Sequence, residues 1–218
     1  MIPTTFAFFD FDDTLAKGDS IFPFLLYCVK RGLAPKSQLF KAAAGFLRWK
    51  LQPSSGQVVK EMSLSFIKDR MVEEMDAVAR DFFRDVQQQF FFEDAAPELF
   101  RLRELGTKIV VVSASADLYM HVLPEFLPVD AVISTECQTH NGRYTGKIGK
   151  NCKGEEKVNR IKSWLKEQGL SIDKEKSSGY GDSPADAPML LLTAKPTLVN
   201  PKRKLVKRIP SGRIVHWH

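Results

Sequence analysis

Three carboxylates within four positions, Asp10, Asp12 and Asp13, follow directly on the apolar run Phe6-Ala7-Phe8-Phe9. Unpaired buried charge is costly, so these acids belong where a strand ends and positive charge waits for them. Side chains alternate faces along a strand, which lets Asp10 and Asp12 project to the same side as the chain leaves the sheet. Two acids converging there suit a hard divalent cation, most naturally Mg2+. They equally suit a nucleophile with an acid/base partner. A strand followed by an Asx turn that caps a helix uses the same residue types, so this stretch alone leaves that reading open.

Two other polar clusters occupy the same kind of place. The β-branched run 108–112 reads as a buried parallel strand that stops at Ser113-Ala114-Ser115-Ala116-Asp117. Residues 177–181 read as a strand that stops at Asp182, with Asp186 just beyond. Strands at 129–134 and 196–199 complete the set, the latter as the last core strand, and Asn141-Gly142 marks a hairpin. Helices are expected at 96–105, from 117 to about 126, at 155–168 with Val158, Ile161, Trp164 and Leu165 on one stripe, and from Pro188 onward. Residues 20–94 read as helices without a strand, at 21–31, 36–51, 57–68 and 72–90, with a break at Pro53-Ser54-Ser55-Gly56. Strands alternating with helices imply an α/β fold, a Rossmann-like parallel sheet covered on both faces. Ligands of such sheets bind outside the carboxyl ends of the strands, where all three polar clusters lie.

Composition narrows the class. The chain has 218 residues, 44% hydrophobic and 27% charged, as in a globular protein with a sizeable core. Cys28, Cys137 and Cys152 are odd in number and widely spaced, which argues against a disulfide framework or a zinc site and fits a reducing cytoplasm. No signal-like segment opens the chain, and the longest apolar run, 21–29, is half a membrane span and contains Pro23. The net charge of +6 is concentrated after Asp186, where no acid occurs but Lys195, Lys202, Arg203, Lys204, Lys207, Arg208 and Arg213 follow. Such a tail is more often a solvated face than a nucleic-acid site, although it suits peripheral contact with an anionic membrane.

Asp10-Phe11-Asp12-Asp13-Thr14, Ser113 after its strand, a downstream lysine and Gly181-Asp182-x-x-x-Asp186 together resemble the haloacid dehalogenase superfamily. The helical stretch after the first motif is similar to the cap of the phosphoserine-phosphatase-like branch. The resemblance implies a core of residues 1–17 and 95–218, a helical cap of 18–94, and Mg2+-dependent hydrolysis of a phosphate monoester. It casts Asp10 as nucleophile and Asp12 as general acid/base. Mg2+ would sit on Asp10, the Asp12 carbonyl and Asp182, with Asp186 behind them. Ser113 and the Ala114 amide would hold phosphoryl oxygens, and Lys157, or alternatively Lys153, would neutralise them. Asp19 matches a carboxylate that meets the substrate ammonium in phosphoserine phosphatases, or it caps a helix. Their cap arginine is missing near Ser63-Leu64-Ser65, with Arg70 a turn or more away, which puts phosphoserine itself in question. An apolar first cap helix and a basic tail would suit a lipid phosphate, such as phosphatidylglycerophosphate, and a phosphotransferase passing the group to an alcohol is a second alternative.

Overall fold

The computed structural model describes residues 1–52 and 56–218, and the side chains of residues 49, 50, 87 and 88 also fall outside the description. The helix break expected at Pro53-Ser54-Ser55 therefore lies outside the described residues. In chain order the first half comprises β1 (Ile2–Thr4), β2 (Phe6–Phe9), α1 (Ile21–Lys30), α2 (Ser37–Leu51), α3 (Gly56–Leu64), α4 (Val72–Phe90) and α5 (Ala95–Glu104). The second half begins with β3 (Lys108–Ala116), α6 (Asp117–Met120), β4 (Ala131–Thr135), β5 (Cys137–His140) and β6 (Arg143–Ile148). It continues with α7 (Glu155–Glu167), β7 (Leu170–Ile172), β8 (Ser178–Gly181), α8 (Ala187–Leu190), β9 (Lys195–Val199), α9 (Arg203–Arg208) and β10 (Arg213–Val215).

Six strands pair in parallel in the order β10-β9-β8-β2-β3-β4. The central strand β2 is buried at every residue because both faces of the sheet are covered. Ala7 and Phe9 join Ile109 and Val111 in one core, while Phe6 and Phe8 join Val110, Val112, Ile161 and Leu165 in the other. Each of the Phe, Val, Ile and Leu side chains contributes about 1.5–3 kcal/mol on burial, so the strand and its register are firmly held.

Helices α1–α4 form an insertion between β2 and α5 whose aromatic side chains pack into the same core as Ala7 and Phe9. Phe24 meets Phe82 edge-on at 5.3 Å, and Phe11, one residue past Asp10, reaches Phe83 and Phe90 at 6.4 and 6.0 Å. The segments entering and leaving the insertion are stitched together: Lys17 N–H donates to Phe90 O at 2.7 Å and Phe92 N–H to Leu15 O at 3.0 Å. At the other end the β5–β6 hairpin clasps it, with Asp69 N–H on Tyr144 O at 2.8 Å and Tyr144 N–H on Arg70 O at 3.0 Å.

Three expectations are corrected. Strand β3 continues through the serines to Ala116, past a register shift against β4 between Val112 and Ala116. The helix expected to 126 is only α6, followed by a 3-10 turn at Leu123–Glu125, because Pro124 cannot extend an α-helical ladder. The strand at 196–199 is not the last: β10 pairs with β9, Ile214 opposite Leu198, and α9 buries Leu205. The basic tail is thus folded onto the sheet edge. No helix among the described residues is long and apolar enough to cross a membrane.

Candidate active site

The sheet winds away from β2 in both directions, β3 and β4 to one side and β8, β9 and β10 to the other. Such a reversal opens a crevice at the carboxyl ends of the central strands. Asp10 N–H donates to Tyr180 O at 2.9 Å, extending the β2 ladder by one residue. Asp10 therefore keeps the parity of Phe6 and Phe8 and emerges on the face that α7 covers. There Lys157, in the first turn of α7 and only 1% exposed, places Nζ 2.7 Å from Asp10 Oδ1 and 2.7 Å from Asp186 Oδ1. Asp186 reaches over the end of β8 because position 181 lacks a side chain: a Cβ there would lie 2.6 Å from Asp186 Cβ. Its other oxygen, Oδ2, accepts the Ser183 N–H and hydroxyl at 3.0 and 2.8 Å.

Asp12 is held differently. Its Oδ1 accepts Ser20 N–H at 2.9 Å and its Oδ2 accepts the Ser115 hydroxyl at 2.6 Å, and Ser20 Oγ lies 2.9 Å from Tyr119 Oη. Asp13 adopts the left-handed φ of 57°, which Asp tolerates better than most side chains. Its carboxylate accepts from Lys202 Nζ at 3.2 Å, and the same ammonium donates to Asp182 Oδ2 at 2.5 Å.

Electrostatics follows from this crowding. Burial, then the nearby Asp186 charge, holds the Asp10 carboxyl well above the usual carboxylate range despite Lys157. Burial works against the charged forms of Lys157 and Asp186 too. Attraction wins in both: Asp10 and then Asp186 raise the lysine, and Lys157 lowers Asp186. Burial, then Asp19, pushes Asp12 up to about 6 against the bonds from Ser115 and Ser20. A carboxyl whose folded pKa exceeds its unfolded value destabilises the fold once ionised. The penalty is absent below the unfolded value of 3.8, grows as pH rises, and is complete above about 6. At ~1.4 kcal/mol per tenfold it amounts to roughly 3 kcal/mol. Asp12→Asn should accordingly melt higher than wild type at pH 8 and match it near pH 4, in thermal denaturation with chelator present. A variant that melts lower at pH 8 would contradict this.

Asp10, Asp182 and Asp186 each bring an oxygen within 4.8 Å of the others. Both Asp186 oxygens are engaged, whereas among the described residues Asp10 Oδ2 and Asp182 Oδ1 accept no hydrogen bond. Two open carboxylate oxygens at adjoining strand ends fit a hard divalent cation such as Mg2+.

Not every expected residue reaches this crevice in the expected way. Ser113 is buried, its Oγ accepting Ser115 N–H at 2.9 Å, and it does not line the cavity; Ala114 and Ser115 do. Lys153 lines the cavity as an exposed side chain. Asp19 also lines it, while its Oδ1 accepts Ile21 N–H at 3.0 Å. Arg70 is committed to Glu74 at 2.8 Å and to Leu33 O at 2.9 Å and is not a lining residue. Sequence reasoning missed Ser20, Lys60, Asn151 and Lys202. None of the four had a legible signal, since each is an ordinary polar residue until the fold brings it to Asp12, Ala114, Lys60 or Asp182.

The cavity over the crevice measures about 580 Å3. Its floor carries the aspartates, Lys157 and Lys202, and its roof is the insertion: Ile21, Phe22 and Leu25 of α1, Ala42, Ala43 and Phe46 of α2, and Val59 of α3. The family model of haloacid dehalogenase-like hydrolases matches residues 7–191. The chain belongs to that family. It is 26% identical over 208 residues to a histidinol-phosphatase of Neisseria meningitidis, covering 92% of each chain. It is also 26% identical to the phosphoserine phosphatase SerB1 of Mycobacterium tuberculosis, covering 93% of this chain and 67% of that one. In fold it is similar to a Bordetella pertussis Tohama I protein of unknown function (TM-score 0.87, 23% identity, 98% of each chain). A phosphoserine phosphatase solved as a phospho-aspartyl intermediate analogue gives a TM-score of 0.62 at 20% identity, covering 97% of this chain and 92% of that one.

Proposed function

We propose that the protein hydrolyses phosphate monoesters through an aspartyl-phosphate on Asp10. The observation that carries this reading is the division of labour between two neighbouring acids. Asp10 has one oxygen fixed by Lys157 and the other open to the cavity, while both oxygens of Asp12 are held by a hydroxyl and an amide. The open oxygen is free to attack phosphorus. Asp12, whose carboxyl burial raises above the usual carboxylate range, is suited to carry a proton and give it to the departing alkoxide. Once ionised, it takes a proton from the water that hydrolyses the acyl phosphate. Lys157 offsets the charge of Asp10 and of the incoming phosphoryl oxygens, with the Ala114 amide beside them. Asp10, the Asp12 carbonyl and Asp182 would hold Mg2+, with Asp186 behind them. When bound, the ion neutralises phosphate charge that would repel the carboxylate. Residues 18–94 serve as the cap over a core of 1–17 and 95–218, excluding water from the reacting atoms.

The reading is tested with p-nitrophenyl phosphate. The protein should turn it over in Mg2+, lose activity in excess chelator and regain it when Mg2+ is restored. Turnover that ignores both additions would refute the metal-dependent mechanism.

A second reading concerns the substrate. The apolar roof over the cavity, together with the absence of any arginine among its described lining residues, favours an amphiphilic phosphate over phosphoserine. Octyl phosphate should then be hydrolysed with a lower KM than O-phosphoserine.

A further inference from the structure

Lys60 stands where the roof meets the floor. It belongs to α3, between the apolar Val59 and the exposed face of that helix, yet its ammonium leaves the roof and reaches the core. Nζ donates to the Ala114 carbonyl at the tip of β3 and to Asn151 Oδ1 at 2.9 Å. Thr135 Oγ1 donates to the same carbonyl at 2.6 Å, so the acceptor is rigidly placed. Both partners of Lys60 are neutral, and among the described residues no carboxylate pairs with it. An ammonium has three donors, so one remains for the cavity that Lys60 lines. Burial opposes its charge and pushes it down to about 8, with Asp12 and Asp19 offsetting only part. The neighbouring lysines of the floor are different: Lys157 and Lys202 each rest on two carboxylates.

A desolvated cation without a paired anion is unfavourable by itself and becomes favourable when an anion meets it. The scissile phosphoryl group already has Lys157 at the nucleophile. Lys60 instead approaches from the cap, close enough for Asp12 and Asp19 to favour its charge, and with Asp12 as the proposed acid the leaving group departs on that side. We infer that Lys60 binds a second anionic group carried by the leaving group, next to the ester and below the apolar roof. Resting on the phosphatase reading, this sharpens the substrate class. It is a phosphate monoester whose alcohol bears a second negative charge and then an apolar chain, so that floor, Lys60 and roof are met in turn. The second anion is a carboxylate or a phosphodiester, since either presents the oxygens an ammonium recognises.

Three probes separate the contributions. They are octyl phosphate (chain without second anion), 3-phosphoglycerate (second anion without chain), and glycerol bearing a phosphate at one end and an octyl phosphodiester at the other. Wild type should turn over the third with the highest kcat/KM. Lys60→Met should lose roughly 10–100-fold on the second and third probes, mainly through KM, consistent with one charge-assisted contact, and change octyl phosphate by less than about threefold. Lys60→Gln, which keeps hydrogen bonding but not charge, should lose as much as the methionine variant. Equal losses on all three probes, no loss on any, or retained discrimination by the glutamine variant would each overturn the second-anion site while leaving the phosphatase reading intact. Failure of wild type to hydrolyse p-nitrophenyl phosphate or any probe would overturn both.

Discussion

Asp10→Asn should reduce hydrolysis of p-nitrophenyl phosphate by roughly 10^4-fold or more while melting no lower than wild type. The two halves of this expectation have separate causes. An amide cannot form an acyl phosphate by attack of its oxygen at a useful rate, so the covalent route is closed and only positioning remains. The fold loses little, because the amide oxygen still accepts from Lys157, whose ammonium retains Asp186 as counter-charge. It also gains something: ionised Asp10 is disfavoured by burial and by Asp186, and the neutral amide carries neither penalty. Parallel turnover assays and thermal melts decide the matter. A variant with wild-type turnover would remove Asp10 from the chemistry. One that is inactive only because it is unfolded would show that the buried charge is structurally required.

Two of the three strand ends were legible because a parallel strand buried on both faces is a continuous apolar run, and a polar residue closing it has nowhere to go but the sheet edge. Phe6–Phe9 and 109–112 carry that signal, whereas Ser178-Gly179-Tyr180-Gly181 does not, and its end was marked by the Gly181-Asp182-x-x-x-Asp186 spacing instead. Lys157 was legible within a choice of two, and it is the lysine whose ammonium touches Asp10, with Lys153 exposed on the cavity wall. What was not legible depended on long-range geometry. Ser115 and Ser113 are indistinguishable by type, and only the irregular end of β3 decides which hydroxyl reaches Asp12. Lys202 sits in a basic run that looks like a solvated tail. Its contact with Asp182 exists because α9 and β10 fold that tail back along β9. Strand β10 was hidden because a three-residue edge strand with two exposed residues has no alternation to detect. Lys60 is one lysine among many until α3 is laid over Ala114.

Lys157→Met should separate structure from chemistry at the same site. The side chain is fully enclosed and its ammonium is the shared counter-charge of two buried carboxylates. Removing one partner of a buried ionic cluster leaves the others unpaired, at a cost of about 3–5 kcal/mol. Without the lysine, the folded-state pKa values of Asp10 and Asp186 both rise, so the lost stability appears as pH climbs above the unfolded carboxyl value and is fully expressed at pH 8. Toward pH 4 the two carboxyls take up protons and the gap to wild type narrows. Adding Asp10→Asn should recover part of the loss, because one of the two stranded charges is then gone and Asp186 keeps the two donors of Ser183. The double variant should thus be more stable at pH 8 than Lys157→Met alone, a coupling that two independent sites would not show. Activity follows a different course. Even where the single variant is folded, kcat should fall by ~10^2–10^3-fold, since among the described residues no other ammonium holds Asp10. Melting curves at pH 4 and 8 for both single variants and the double, with turnover at a temperature where all are folded, give the answer. Additive stabilities with near-wild-type turnover would mean that Lys157 merely fills space beneath the strand ends.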